Sequence, residues 1–172
     1  MPLLYRARQF FQSLFCKPQP GELEEIEAIL PERLYHLFLE LPAADQCHSY
    51  RVFQTLVASG ENNQDLLSAA LLHDVGKSRY RLNIIERILI VFAEHADPER
   101  MRHWGQGAPR GWKRAFVIAI QHPSWGADMV SSAGGSKILV RLIQNHHTHP
   151  ATPTGDHFAA LLARLKQADS IN

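Results

Sequence analysis

The sequence predicts an all-α domain, and three observations carry that prediction. Apolar residues recur at helical spacing along almost the whole chain. Period-two runs rich in Val, Ile and Thr, the mark of strands, are absent. Proline and glycine fall where helices would start and stop. With 172 residues, 45% apolar and 20% charged, the chain is of ordinary globular composition. It suits a single bundle of about seven to nine helices.

The elements follow in order. Residues 1–16 read as an amphipathic helix whose Leu4, Phe11 and Phe15 pack on the domain. Arg6 and Arg8 stand where a signal peptide needs its apolar stretch. Residues 31–41 begin with Pro31, suited to a first helical position, and stop at Pro42. The segment 1–42 is expected to pack on, or extend, a domain spanning 43–172. A helix over 43–59 ends at Gly60, and the next covers 63–78. Residues 84–93 are apolar nearly all round and so are expected to be buried. Asp97-Pro98, Gly105, Gly107, Pro109 and Gly111 break the pattern into a short helix and a solvated loop. Arg100, Arg102 and Arg110 of that stretch could close over phosphate. A helix from Trp112 is expected to stop at His122, because the residue before Pro123 is disfavoured in the α region. Further helices are expected over 123–134, 136–147 and 156–168, with a loop at 150–155.

Lys+Arg is 18 and Asp+Glu is 17, which gives no net pull toward nucleic-acid polymers or an anionic membrane. No stretch is apolar for the roughly 20 residues that a spanning helix needs. Cys16 and Cys47 form no CxxC and read as reduced thiols of a cytoplasmic protein. The unusual number is ten histidines, and His is the commonest side-chain metal ligand.

The strongest local signal is Leu71-Leu72-His73-Asp74-Val75-Gly76-Lys77, two adjacent ionisable groups on an otherwise apolar helix. Burying them is costly unless they are paired or bind metal. Side chains about 100° apart let the imidazole take one ion while the carboxylate beside it bridges to a second. Gly76 would leave the mouth of such a site uncrowded, and Lys77 would project one turn beyond His73 toward a bound anion. His48, His122, His146, His147 and Asp169 lie one or two helices apart, a spacing that lets a bundle gather them at one end.

These segments resemble the HD-domain metal-dependent phosphohydrolases. The family order of His, then His-Asp, then Asp is matched by His48, His73-Asp74 and Asp169, and Gly76-Lys77 matches the HDxGK subgroup. His122-Pro-Ser-Trp-Gly-Ala127 and Ile143-Gln-Asn-His146 match the two further segments of binuclear members. The likeness covers residues 43–172, about three-quarters of the chain. After the His pair, cyclic-di-GMP phosphodiesterases carry a Glu and then a Gly-Tyr-Pro signature, where this chain has His147-Thr-His-Pro-Ala-Thr-Pro-Thr-Gly155. Ala44 stands where some trinuclear members place a Glu. The pattern is nearer the small stand-alone binuclear members, including the HD-type hydrolases of diadenosine tetraphosphate.

The resemblance implies a metal site of His48, His73, Asp74, His122, His146 and Asp169, with His147 as an alternative to His146 or a substrate contact. Imidazole with carboxylate suits one or two ions of Fe, Mn, Co, Ni or Zn. The implied reaction is hydrolysis of a small phosphoester, a nucleotide or dinucleotide, through a hydroxide held between the metals. Asp74 and Lys77 would be catalytic, and Lys77 and Arg51, the latter three residues after His48, would hold phosphate oxygens. Asp169 could orient the water. The alternative from another class is a metal-holding scaffold that binds a nucleotide or a protein partner with little turnover. An oligomer is compatible with either reading. His36, His95, His103 and His157 fall outside the pattern and read as surface or capping residues, and His149 as a solvated loop residue. Trp125 could stack on a nucleobase or serve in packing.

Overall fold

A computed structural model describes residues 16–148 and 156–172. Among them the chain forms nine α-helices and no strand. They are α1 (Pro20–Ile29), α2 (Glu32–Leu39), α3 (Ala43–Ala58), α4 (Gln64–Leu72), α5 (Ile84–Ala96), α6 (Pro98–Trp104), α7 (Arg114–Ser132), α8 (Lys137–Asn145) and α9 (His157–Ile171). Short 3₁₀ turns cover Val75–Arg79 and Gly111–Lys113.

Local chemistry accounts for the starts. Asn63 caps α4 by accepting from the Leu66 amide, and Asp97, Ser136 and Asp156 do the same for α6, α8 and α9. Gln19 with Glu22, and Asn83 with Glu86, close reciprocal capping boxes on α1 and α5. Helix α4 is the axis of the molecule. Every residue from Leu66 to Leu72 is buried, and α1, α2, α3, α8 and α9 surround it. Ile26, Leu34 and Phe38 of α1 and α2 enter the same core as Phe53, Leu71, Leu142 and Leu165.

Several sequence expectations are corrected. The helix expected over 63–78 ends at Leu72, and a 3₁₀ turn follows. His73 and Asp74 therefore stand at a helix end, not on a continuous helix face. The expected break at His122 is absent: α7 runs through Pro123, its only interior proline, because tertiary packing outweighs the local penalty. Residues 84–93 do not become buried. Ile85 and Phe92 are 66% and 62% exposed, and no residue of α5 is buried. Cys16 and Cys47 are not free thiols but are joined by a disulfide, with Cα atoms 6.2 Å apart. Their separation of 31 residues gave no sign of that pairing. The helix expected over 1–16 lies outside the described residues except for Cys16.

Gly76 also has a different purpose from the one expected. It does not open the mouth of the site but permits backbone-to-backbone contact with α7. A Cβ there would stand 2.0 Å from the His122 carbonyl oxygen and 2.7 Å from the Gly126 amide nitrogen. This contact seats the 3₁₀ turn, and with it Asp74, against the middle of α7.

Candidate metal centre

Three imidazoles are buried around one carboxylate. His73, at the end of α4, donates Nδ1–H to the Ala70 carbonyl at 2.9 Å. His146, at the end of α8, does the same to Ile143 at 2.6 Å. Both carbonyls belong to the last turn of a helix, where no intrahelical donor exists for them. His122 lies mid-helix, where carbonyls are normally taken. Pro123 solves this: it has no N–H, so the Ala119 carbonyl four residues before it is free, and His122 Nδ1 occupies it at 2.9 Å. The buried His-Pro pair thus does at mid-helix what a terminus does for the other two.

An imidazole that donates from Nδ1 keeps its lone pair on Nε2. The three Nε2 atoms converge on Asp74. That of His122 is 3.1 Å from Oδ1, that of His146 is 3.8 Å from Oδ1, and that of His73 is 3.6 Å from Oδ2. His122 and His146 bring their Nε2 atoms within 3.3 Å of each other. On the other side, His48 Nε2 is 2.9 Å from Asp169 Oδ1, which in turn is 3.6 Å from His73 Nε2. Asp74 therefore turns one oxygen toward His122 and His146, and the other toward His73.

Two groups of donors result, His48 with His73 and Asp169, and His122 with His146 and His147. In each, the ligand atoms lie within 4.8 Å of one another. His73 Nε2 and Asp74 Oδ1 are buried with no hydrogen-bond partner, a costly arrangement for a lone pair and a carboxylate oxygen unless a cation accepts both. This donor set fits divalent transition metals.

Protonation follows the geometry. Burial pushes the Asp74 carboxyl up, but Lys77, His73 and His122 together outweigh burial and hold it well below the usual carboxylate range. Burial lowers His122, and lowers His146 still further with the help of His147, His122 and His73. For Asp169, burial is overcome by His48 and His73, and the carboxyl stays ionised. For Lys77, burial is outweighed by Asp74, Asp45 and Asp169, and the amine stays charged. Asp74 and Asp169 are thus carboxylates, and His122 and His146 beside Asp74 are neutral imidazoles, a donor set ready to receive cations.

Lys77 Nζ is 2.6 Å from Asp74 Oδ2 and lines a cleft of about 660 Å³ that opens over the cluster. Arg51, His147, Asp169, Ser170 and Asn172 also line it. Ile90 and Val91 of α5, Met101 of α6, and Ala119 and Ile120 of α7 add apolar lining, interspersed with the charged Arg87, Glu94 and Arg102. Arg87 holds α5 to α3 by a bidentate pair with Asp45, at 2.9 and 2.7 Å.

A family model for the HD domain matches residues 46–171. The chain belongs to the HD domain family. No curated protein and no solved structure matches it.

All six candidate ligands of the HD domain pattern lie in this cluster, and Lys77, Arg51 and His147 line the cleft. Trp125 does not line the cleft. It packs on Tyr80 at 5.1 Å between ring centres, with Arg79 over its ring. Of the three loop arginines only Arg102 lines the cleft, while Arg100 pairs with Asp97. His36, His95, His103 and His157 are exposed, and His149 lies outside the described residues. The Asp45–Arg87 pair escaped the sequence reading. Asp45 lies three residues before His48, on the same helical face, which was the one signal available.

Proposed function

We propose that this HD domain is a metal-dependent phosphohydrolase, a phosphomonoesterase or phosphodiesterase, acting on a small phosphoester such as a nucleotide or dinucleotide. The observation that carries the reading is the convergence of three carbonyl-anchored imidazoles on Asp74, at the floor of a cleft that also holds Lys77. In this reading His48, His73 and Asp169 would hold one ion, His122 and His146 would hold a second, and Asp74 would serve both. Such ions supply Lewis-acid activation of the phosphoryl group and of the attacking water.

The chain's own residues do the rest. An ammonium has three donors, so Lys77 can keep its bond to Asp74 and still donate to a phosphoryl oxygen at the cleft floor. Asp169 turns Oδ1 toward His48 and His73, and its second oxygen would orient the attacking water. His147, exposed where His146 is buried, contacts substrate at the mouth of the site. The apolar side chains that α5, α6 and α7 present to the cleft receive the organic part of the substrate.

The test is elemental analysis of protein purified without chelator, followed by turnover measurements over a panel of phosphoesters. Up to two ions of Mn, Fe, Co, Ni or Zn per chain and metal-dependent turnover are expected. Asp74→Ala should lose metal and lower turnover by about 10³-fold or more, with its helical circular dichroism retained. A preparation that takes up none of these metals would sink the proposal. Metal uptake without turnover on any phosphoester would make the protein a binding scaffold instead.

A further inference from the structure

The cleft has four cationic side chains, and three have a protein acceptor. Lys77 is on Asp74, Arg87 is on Asp45, and Arg102 donates from Nε to the Pro98 carbonyl. Arg51 enters no ion pair among the described residues, and its Nε is closed off from water with no hydrogen-bond partner. Its neighbours on the cleft wall do not relieve it. Ser170 donates to the Gln167 carbonyl, and the Asn172 amide donates to Thr55 and Ala168. A guanidinium stays charged at any physiological pH and offers a planar fork of donors shaped for a bidentate oxyanion. The cleft also carries the carboxylates of Asp45, Asp74, Glu94 and Asp169, but none of them pairs with Arg51, so this half-buried guanidinium keeps its donors for an incoming anion.

Its position says which anion. Arg51 follows His48 by three residues on α3, so it stands about one helical turn along, beside the His48–Asp169 half of the cluster. Lys77 stands instead on Asp74, between the two halves. The two cations come from different elements and flank the cluster at different points. We infer that Arg51 is a second anion subsite, which selects substrates carrying a further phosphate or equivalent oxyanion beside the phosphoryl group that reacts. Nucleoside di- and triphosphates and dinucleoside polyphosphates meet that requirement, and simple monoesters do not. This inference rests on the phosphohydrolase reading and narrows its substrate class.

The test is calorimetric titration of the metal-loaded protein with methylenediphosphonate and with methylphosphonate, neither of which can be hydrolysed at a P–O–P bond. Metal content is measured after each titration. The wild-type protein should prefer the diphosphonate by about tenfold or more, the worth of a charge-assisted hydrogen bond. In Arg51→Gln that preference should collapse toward unity, with metal content and methylphosphonate affinity close to wild type. Arg51→Lys should recover part of it, as a point charge without the fork. A preference unchanged in Arg51→Gln would overturn the inference. So would equal weakening of both ligands, which would mean that Arg51 and Lys77 share one phosphoryl group. If the metal-loaded wild-type protein binds neither phosphonate, the phosphohydrolase reading fails, and this inference with it.

Discussion

Helix α4 has every residue from Leu66 to Leu72 buried, while α5, equally apolar by sequence, has none. Both belong to the site. The first ends in His73 and is held on all sides, and the second supplies Ile90 and Val91 to the cleft wall. Their surroundings explain the difference. Helix α4 sits at the centre of one large core, whereas α5 meets α6 and α7 through a small satellite cluster of Met101, Phe116 and Ala119. Two ion pairs, Arg87 with Asp45 and Arg114 with Glu86, fasten α5 at its N-terminal half. The comparison teaches that the candidate ligand positions are set by packing density, and the α5 side of the cleft by a few polar fasteners. Fixing metal donors demands close packing.

Stability should divide the two regions most sharply. Leu71→Ala should cost about 2–5 kcal/mol through the cavity it leaves in the core. Ile85→Gln, on the exposed face of α5, should stay within about 0.5 kcal/mol of wild type. Denaturant midpoints of the two variants measure this, and comparable losses would dissolve the distinction.

The next effect tests how the scaffold aims a ligand. Pro123→Ala restores a backbone N–H that competes with His122 Nδ1 for the Ala119 carbonyl. Metal affinity should fall by about 10–100-fold, as when the outer partner of a ligating His is lost, with helix content unchanged. A titration showing wild-type affinity would mean that packing alone orients the ring.

The last effect is a slope. In metal-free protein, His122 and His146 are held neutral by burial, so their folded pKa values lie below the unfolded value. Below about pH 6.5 the unfolded chain binds protons that the folded one does not, and stability falls with pH by up to about 1.4 kcal/mol per unit for each histidine. The depressed carboxyls of Asp74 and Asp169 add to the loss only below about pH 4. Thermal melts of chelator-treated protein across pH 5 to 8 should therefore decline on the acid side of 6.5. A flat profile would place the histidines in water.

The sequence carried the helical class, and His48, His73, Asp74, His122, His146 and Asp169, read in chain order, do meet in space. Ligand order is legible because side-chain chemistry is local to each motif. What failed was the reading of apolar pattern as depth. Residues 84–93 look like a core helix because periodicity reports which faces are apolar, not which neighbour covers them. The Pro123 break failed for a related reason: local preference yields to a buried packing site. The link between Cys16 and Cys47 lay beyond reach, since chain separation does not reveal proximity.

The use of Pro123 reaches past this molecule. An engineer building a metal site on the middle of a helix has no spare main-chain acceptor with which to fix an imidazole's tautomer. Writing proline directly after the histidine creates one, three positions upstream, at the expense of a single helical hydrogen bond. The dipeptide is then an instruction for ring orientation, and it could be tried in an idealised bundle whose helices are long enough to absorb the bend.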